Sequence, residues 1–139
     1  MIIDGTNLRL GRMATIVAKK ALLGETIDIV NVDKVLITGK KDRIKKDFFR
    51  GRDMGIPSKG PYHSRVPFKV VKRAIRGMLP YKQPKGRAAF ERIKCHSGIP
   101  AVFKDKELQS IETAHINSSN TSQFLTIGEI CKFLGGSDE

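Results

Sequence analysis

Between Lys40 and Lys94 lie eighteen of the chain's twenty-six Lys and Arg residues, against only four acids: Asp42, Asp47, Asp53 and Glu91. A stretch with an excess of fourteen positive charges cannot be wrapped on all sides by a core. Each element in it must bury one face and leave the cations outside. The rest of the chain holds eight bases and ten acids. The positive field is therefore local, and its sign attracts polyanions, of which nucleic acid is the commonest.

The helix pattern inside this stretch shows how the two demands are met. Pro67 to Leu79 is bounded by a proline suited to a first turn and by Pro80, which stops the helix. Val70, Val71, Ala74, Ile75 and Met78 fall on one side, and Lys69, Lys72, Arg73 and Arg76 on the other. No acid lies among those four cations. A solvated surface is the plain reading of any such face, but ordinary solvated helices mix both signs of charge. The pattern favours phosphate contact.

The remaining elements suggest an α/β order. Met1 to Ile3 is a short apolar start, and Gly11 to Leu23 has helical spacing with Ala14, Val17, Ala18, Ala21 and Leu22 on one face. Thr26 to Val32 and Lys34 to Thr38 read as strands. Gly39 to Phe49 is expected to be a helix with Ile44 and Phe48 on its apolar side, carrying Lys40, Lys41, Arg43, Lys45 and Lys46. Strand, helix, strand, strand, helix points to an α/β domain with at least one parallel pairing.

Gly51 to Val66 contains three glycines and two prolines and reads as a long irregular loop. Arg50 stands at its edge, followed by Arg52, Lys59 and Arg65. Such a loop can thread into folded RNA and become ordered there, with Tyr62 and His63 as rings that can stack on an unpaired base. A connector with incidental charge is the alternative. Beyond the Pro67 helix, Lys82 precedes a weaker helical segment, Pro84 to Ile93, with Lys85, Arg87 and Arg92. Lys94 opens a possible short strand to Ser97.

The tail changes sign: Ala101 to Glu139 has three bases and six acids. Thr126-Ile127-Gly128-Glu129 fits a capping box, with Leu125 and Ile130 spaced as a hydrophobic staple, so a closing helix is expected from Ile127 to Leu134. The chain's 139 residues suit one domain, with a basic segment at 40–94 and a mildly acidic tail at 101–139.

Catalytic constellations are thin. His63, His96 and His115 lie in separate contexts, and structural roles suit them best. Asp4, Asp28 and Asp33 can converge at a sheet edge, but no spacing requires it. Cys95 and Cys131 form no CxxC pair, which fits a reducing cytosol and gives a metal site little support. Met1 to Arg12 lacks the features of a secretory signal, and no apolar run is long enough for a membrane span. Gly5 to Gly11 could make a phosphate-binding turn ahead of a helix, but it matches neither GxGxxG nor GxxxxGK[ST]. A structural turn fits better, with Arg9 and Arg12 as additional phosphate contacts. A nucleotide-dependent α/β enzyme using that turn stays open as the alternative. A DNA-binding module has less support, since no DNA-reading motif is present.

Several runs, taken in order, resemble one family: Asp4 to Arg12, Val30 to Lys34, Ile37 to Lys40, Gly60-Pro-Tyr-His63, Arg76-Gly-Met-Leu-Pro80, Gly86-Arg87 and Ile99-Pro100. They resemble the L-thirteen family of large-subunit ribosomal proteins, in its archaeal and eukaryotic branch. The bacterial branch's His-Thr-Gly-Tyr-Pro-Gly run is missing. The resemblance covers Met1 to Pro100 and is poor in the tail apart from the capped final helix. It implies a three-layer α/β/α fold on a small, mainly parallel four-stranded sheet, with a long basic loop and a helical tail. It also implies a cytoplasmic, ribosomal place on large-subunit rRNA, joined early in assembly beside neighbouring ribosomal proteins. Catalysis, cofactor, metal, small-molecule substrate and membrane are not expected.

Overall fold

The computed structural model describes residues 1–136. Its core is a parallel sheet of three short strands, β1 (Ile2–Asp4), β2 (Ile27–Val30) and β4 (Ile93–Cys95), in the order β1-β2-β4. Ile3 pairs with Ile29, and Ile29 with Cys95. Three helices pack on this sheet and on one another: α1 (Leu10–Leu22), α3 (Pro67–Gly77) and α4 (Pro84–Glu91). A second helix, α2 (Lys41–Asp53), and a last one, α5 (Ile127–Phe133), flank an antiparallel pair, β3 (Leu36–Thr38) with β5 (Phe124–Thr126).

The α/β class stands as expected, but the strands divide into three and two. After β1 the chain turns through Asn7, at φ 58°, and meets β3 by a single bridge from Arg9 to Leu36. That one link is too short to join the two sheets into one ladder. A second single bridge, Ile3 to Gln109, brings the tail alongside β1.

Along α1, Met13, Ala14, Val17, Ala18 and Ala21 are buried, but Leu22, expected on the same face, is 43% exposed at the helix end. Val71 and Ile75 of α3 join them with Ile3, Ile27, Ile29 and Ile93. Full burial of each large aliphatic side chain stabilises by about 1.5–3 kcal/mol. Strand alternation sends Asp28 to the face opposite Ile27 and Ile29. There His96 lies 3.2 Å from Asp28, and its ring is 5.5 Å from that of Phe103.

The closing helix is capped as its sequence requires. Thr126 Oγ1 accepts the Glu129 N–H at 3.1 Å, and Glu129 Oε2 accepts the Thr126 N–H at 2.9 Å. Leu125 and Ile130 meet in a small core with Ile44 and Leu134.

One boundary differs. α2 runs on through Gly51 to Asp53 instead of ending at Phe49. Gly51 weakens a helix by about 1 kcal/mol relative to Ala, but the Arg52 guanidinium, held by the Leu134 carbonyl, anchors the extra turn. The loop is shortened to 54–66. It is also internally bonded: Lys59 and Gly60 donate to the Ile56 carbonyl, and Tyr62 Oη donates to Pro57 at 3.0 Å.

Candidate nucleic-acid interface

α3 presents the basic face its sequence specifies. Lys69, Arg73 and Arg76 are exposed, while Val71 and Ile75 opposite are buried. Lys72 is half-buried with its ammonium 4.7 Å above the Phe90 ring, and the Arg76 guanidinium lies 5.4 Å from the Tyr81 ring. Those aromatic faces hold the cations in place without cancelling their charge.

The neighbouring elements carry further cations. Arg73 donates to the Tyr62 carbonyl at 2.6 Å, tying α3 to the loop. Arg65 reaches the Gly135 carbonyl at 3.3 Å, and Arg87 the Tyr81 carbonyl at 3.3 Å. Lys40, Lys41, Arg43, Lys46 and Arg50 are exposed along α2, and Lys45 sits 5.2 Å from the Phe133 ring. Lys59, Lys82, Lys85 and Lys94 are exposed, as is Arg12 on α1. Tyr62 is 66% exposed, with its hydroxyl fixed and its ring open. His63 lies against Gly51.

Among the described residues, Arg43 alone of these candidate cations lies within ion-pair distance of a carboxylate, 3.9 Å from Asp47. Both side chains of that pair are mostly exposed, so water weakens it. A carbonyl accepts a guanidinium proton and orients it, but leaves the full positive charge. Among the described residues, Arg65, Arg73 and Arg87 are thus oriented by backbone carbonyls and meet no carboxylate within ion-pair distance.

Three candidates are turned inward, one of them Arg52, half-buried and held by the Leu134 carbonyl. Arg92 is half-buried and donates to the Ala21 carbonyl at 3.1 Å, joining α4 to the end of α1. Arg9 is half-buried and reaches the Thr113 carbonyl at 3.0 Å and Ser118 Oγ. Each cross-links elements distant in sequence, which no local pattern could reveal.

The Gly5 turn is filled by the protein itself. A Cβ at Gly5 would lie 2.8 Å from a Val35 methyl and 3.0 Å from the Val30 carbonyl oxygen. Gly5 N–H donates to Val30, Thr6 N–H to Asp4, and Arg9 N–H to Ala114. These amides are spent within the fold and do not form a phosphate cradle.

The three acids take separate partners. Asp4 accepts from Thr6 and Asn31, Asp28 meets His96, and Asp33 accepts from Gly98 N–H. Burial pushes the Asp4 carboxyl up, but the donors from Asn31 and Thr6 and the charge of Lys34 outweigh it and hold it below its ordinary value. Burial raises the Cys95 thiol to about 12 and Cys131 to about 11. Among the described residues no cluster of His, Cys, Asp and Glu could hold a metal, and no helix is long and apolar enough to cross a membrane.

A fold of this kind, with a basic face and an interior turn, leaves the question of kinship to the whole sequence. The family described as ribosomal protein L13 matches residues 1–102. The chain belongs to the ribosomal protein L13 family. Similar curated proteins include the "Large ribosomal subunit protein uL13" of Methanococcoides burtonii, 39% identical over 96% of each chain. Those of Methanococcus maripaludis and Picrophilus torridus are 40% and 41% identical, covering 97% and 96% of this chain and 97% and 95% of their own. The kinship therefore continues past Pro100 into the tail. As an L13-family protein the chain is a structural, non-enzymatic constituent of the large ribosomal subunit, located in the cytoplasmic ribosome.

Proposed function

We propose that this chain binds large-subunit rRNA through the surface made by α2, the 54–66 loop, α3 and α4, and supports the assembly of that RNA. Its cations lie against phosphates of adjacent RNA helices and lower their mutual repulsion. Duplex regions are read by shape and backbone, because the deep groove of A-form RNA is closed to side chains. Neighbouring ribosomal proteins are the second class of partner.

The observation that carries this reading is the pairing of the basic side chains. Several of them, Arg73, Lys72 and Arg76 included, are oriented by a carbonyl or an aromatic ring, and among the described residues Arg43 alone of these cations lies within ion-pair distance of a carboxylate. A cation oriented in advance loses less entropy when a phosphate arrives. Arg and Lys at such positions release condensed counterions from RNA on binding.

The test is a salt titration of the full chain with a folded large-subunit rRNA fragment. The logarithm of affinity is expected to fall with the logarithm of salt, by about 0.7 to 0.9 per phosphate neutralised. A flat response removes the proposal.

A further inference from the structure

A cleft between α2 and α3 is not accounted for by phosphate contacts. It has a volume of about 360 Å³, and its walls are Phe48 and Gly51 of α2 with Val70 and Ala74 of α3. Leu10 and Leu134, from near the two ends of the chain, also line it. The lining is mainly apolar, yet Lys69 and Arg73 stand exposed at its mouth. Asp47 and Ser64 also line it; Ser64 Oγ accepts the Val66 N–H at 3.1 Å and Asp47 lies 3.9 Å from Arg43, and each keeps lone pairs to accept a further bond.

A phosphate needs cations and has no use for an apolar slot. A nucleotide needs both. Its base gains by leaving water against apolar walls, its ring and exocyclic N–H groups need acceptors, and its phosphates need cations nearby. The charge at the rim selects against an ordinary apolar peptide, which brings no anion to Lys69 and Arg73. The cleft also lies beside the basic loop, at His63, where an RNA strand following the cations would pass.

We propose that this cleft takes one unstacked base of the bound RNA, with the flanking phosphates on Lys69 and Arg73. The inference rests on the RNA-binding reading above and adds a site for a single unpaired nucleotide. Asp47 and Ser64 favour a base that presents N–H donors toward them.

The test begins with the unaltered full chain, followed by methyl and amide NMR. Adenosine and guanosine monophosphates are titrated beside inorganic phosphate at matched ionic strength. Nucleotides are expected to shift Val70, Ala74 and Leu134, while phosphate moves only Lys69 and Arg73. Identical shift patterns for nucleotide and phosphate would overturn the base site and leave the cationic surface intact. Tighter occupation of the cleft by N-acetylphenylalaninamide than by either nucleotide would also overturn it, in favour of a protein side chain.

A second arm fills the cleft with Ala74→Phe, its fold checked by circular dichroism. Affinity for a single-stranded RNA is expected to drop about tenfold, the scale of one lost stacking contact, with duplex RNA of equal length unaffected. Equal loss for both, or no loss for either, overturns the inference. If the variant does not fold, the NMR comparison still decides. Failure of the unaltered chain to bind any RNA is a different result, which defeats the underlying reading.

Discussion

The Arg73 guanidinium donates to the carbonyl oxygen of Tyr62 at 2.6 Å, across eleven residues of sequence. This contact fixes the loop to the charged side of α3 and leaves Tyr62 exposed beside it. One residue thus serves two roles, as a cation on the helix face and as the clasp of the loop.

Arg73→Ala and Arg76→Ala should therefore separate those roles. Each removes one cation, so each is expected to lessen the salt dependence of RNA affinity by about 0.7 to 0.9. Only Arg73→Ala also frees the loop, so protease cleavage within 54–66 should rise in that variant alone. The Arg73→Glu, Arg76→Glu double variant should bind RNA far more weakly while keeping its circular dichroism. Unchanged affinity in the folded double variant would count against the α3 face.

Gly86 has no room for a side chain. A Cβ there would stand 2.0 Å from the Pro80 carbonyl oxygen, in the tight turn that leads into α4 and sets it against α1. Backbone must move to admit it, and overpacking of this kind costs about 1–3 kcal/mol. Gly86→Ala should lower the urea midpoint accordingly, although alanine is the better helix former. A midpoint equal to that of the unaltered protein would show that the turn yields freely.

Ile75 is fully buried between α1 and the sheet, on the helix whose other face is basic. Ile75→Ala is expected to destabilise by about 2–5 kcal/mol, through lost transfer energy and the cavity left behind. Below the unfolding transition, RNA affinity should stay unchanged, since the cations remain in place. Urea unfolding paired with a binding titration measures both effects.

Acid should weaken the fold through two carboxyls. Asp4 is held below its ordinary value of 3.8 by the balance described above. Glu129 is held below 4.5, chiefly by the Thr126 N–H, against burial and with help from the Thr126 hydroxyl, Lys41 and Lys45. A depressed folded value means the unfolded chain binds protons more readily. The stabilisation is complete above the unfolded values and is lost as pH falls through the folded ones. Unfolding free energy should decline from about pH 5 downward, and Asp4→Asn should flatten that decline. A decline of the same steepness in Asp4→Asn would assign it to other groups.

Much of this was legible locally. The apolar and basic faces of α3 follow from spacing alone, and its observed end at Gly77 falls two residues short of the expected Leu79, because Met78 and Leu79 bond back three residues instead of four. The capping box at Thr126 and Glu129 is a four-residue signal and appears intact. What escaped depends on distant partners. The extra turn of α2 relies on Arg52 reaching Leu134, and the inward roles of Arg9 and Arg92 rely on Thr113 and Ala21. The division of the strands turns on a single bridge at Leu36. The cleft beside α3 draws Leu10, Phe48, Val70 and Leu134 from four separate stretches, each of which reads by itself as ordinary core.

The two thiols give a last measurement on the intact fold. Thiolate is the reactive form, and burial holds Cys95 at about 12 and Cys131 at about 11. At about pH 8, then, only about one Cys131 in a thousand is ionised, and fewer at Cys95. Both lie far below the roughly one quarter expected of a free thiol near 8.5. Labelling by a disulfide reagent should accordingly be slow for both in native buffer and rapid for both in denaturant. Because the barrier is desolvation by the α/β core, Ile75→Ala should hasten labelling in step with its loss of stability. Rapid native labelling of Cys95 would mean that the packing of β4 against α3 opens far more readily than its burial allows.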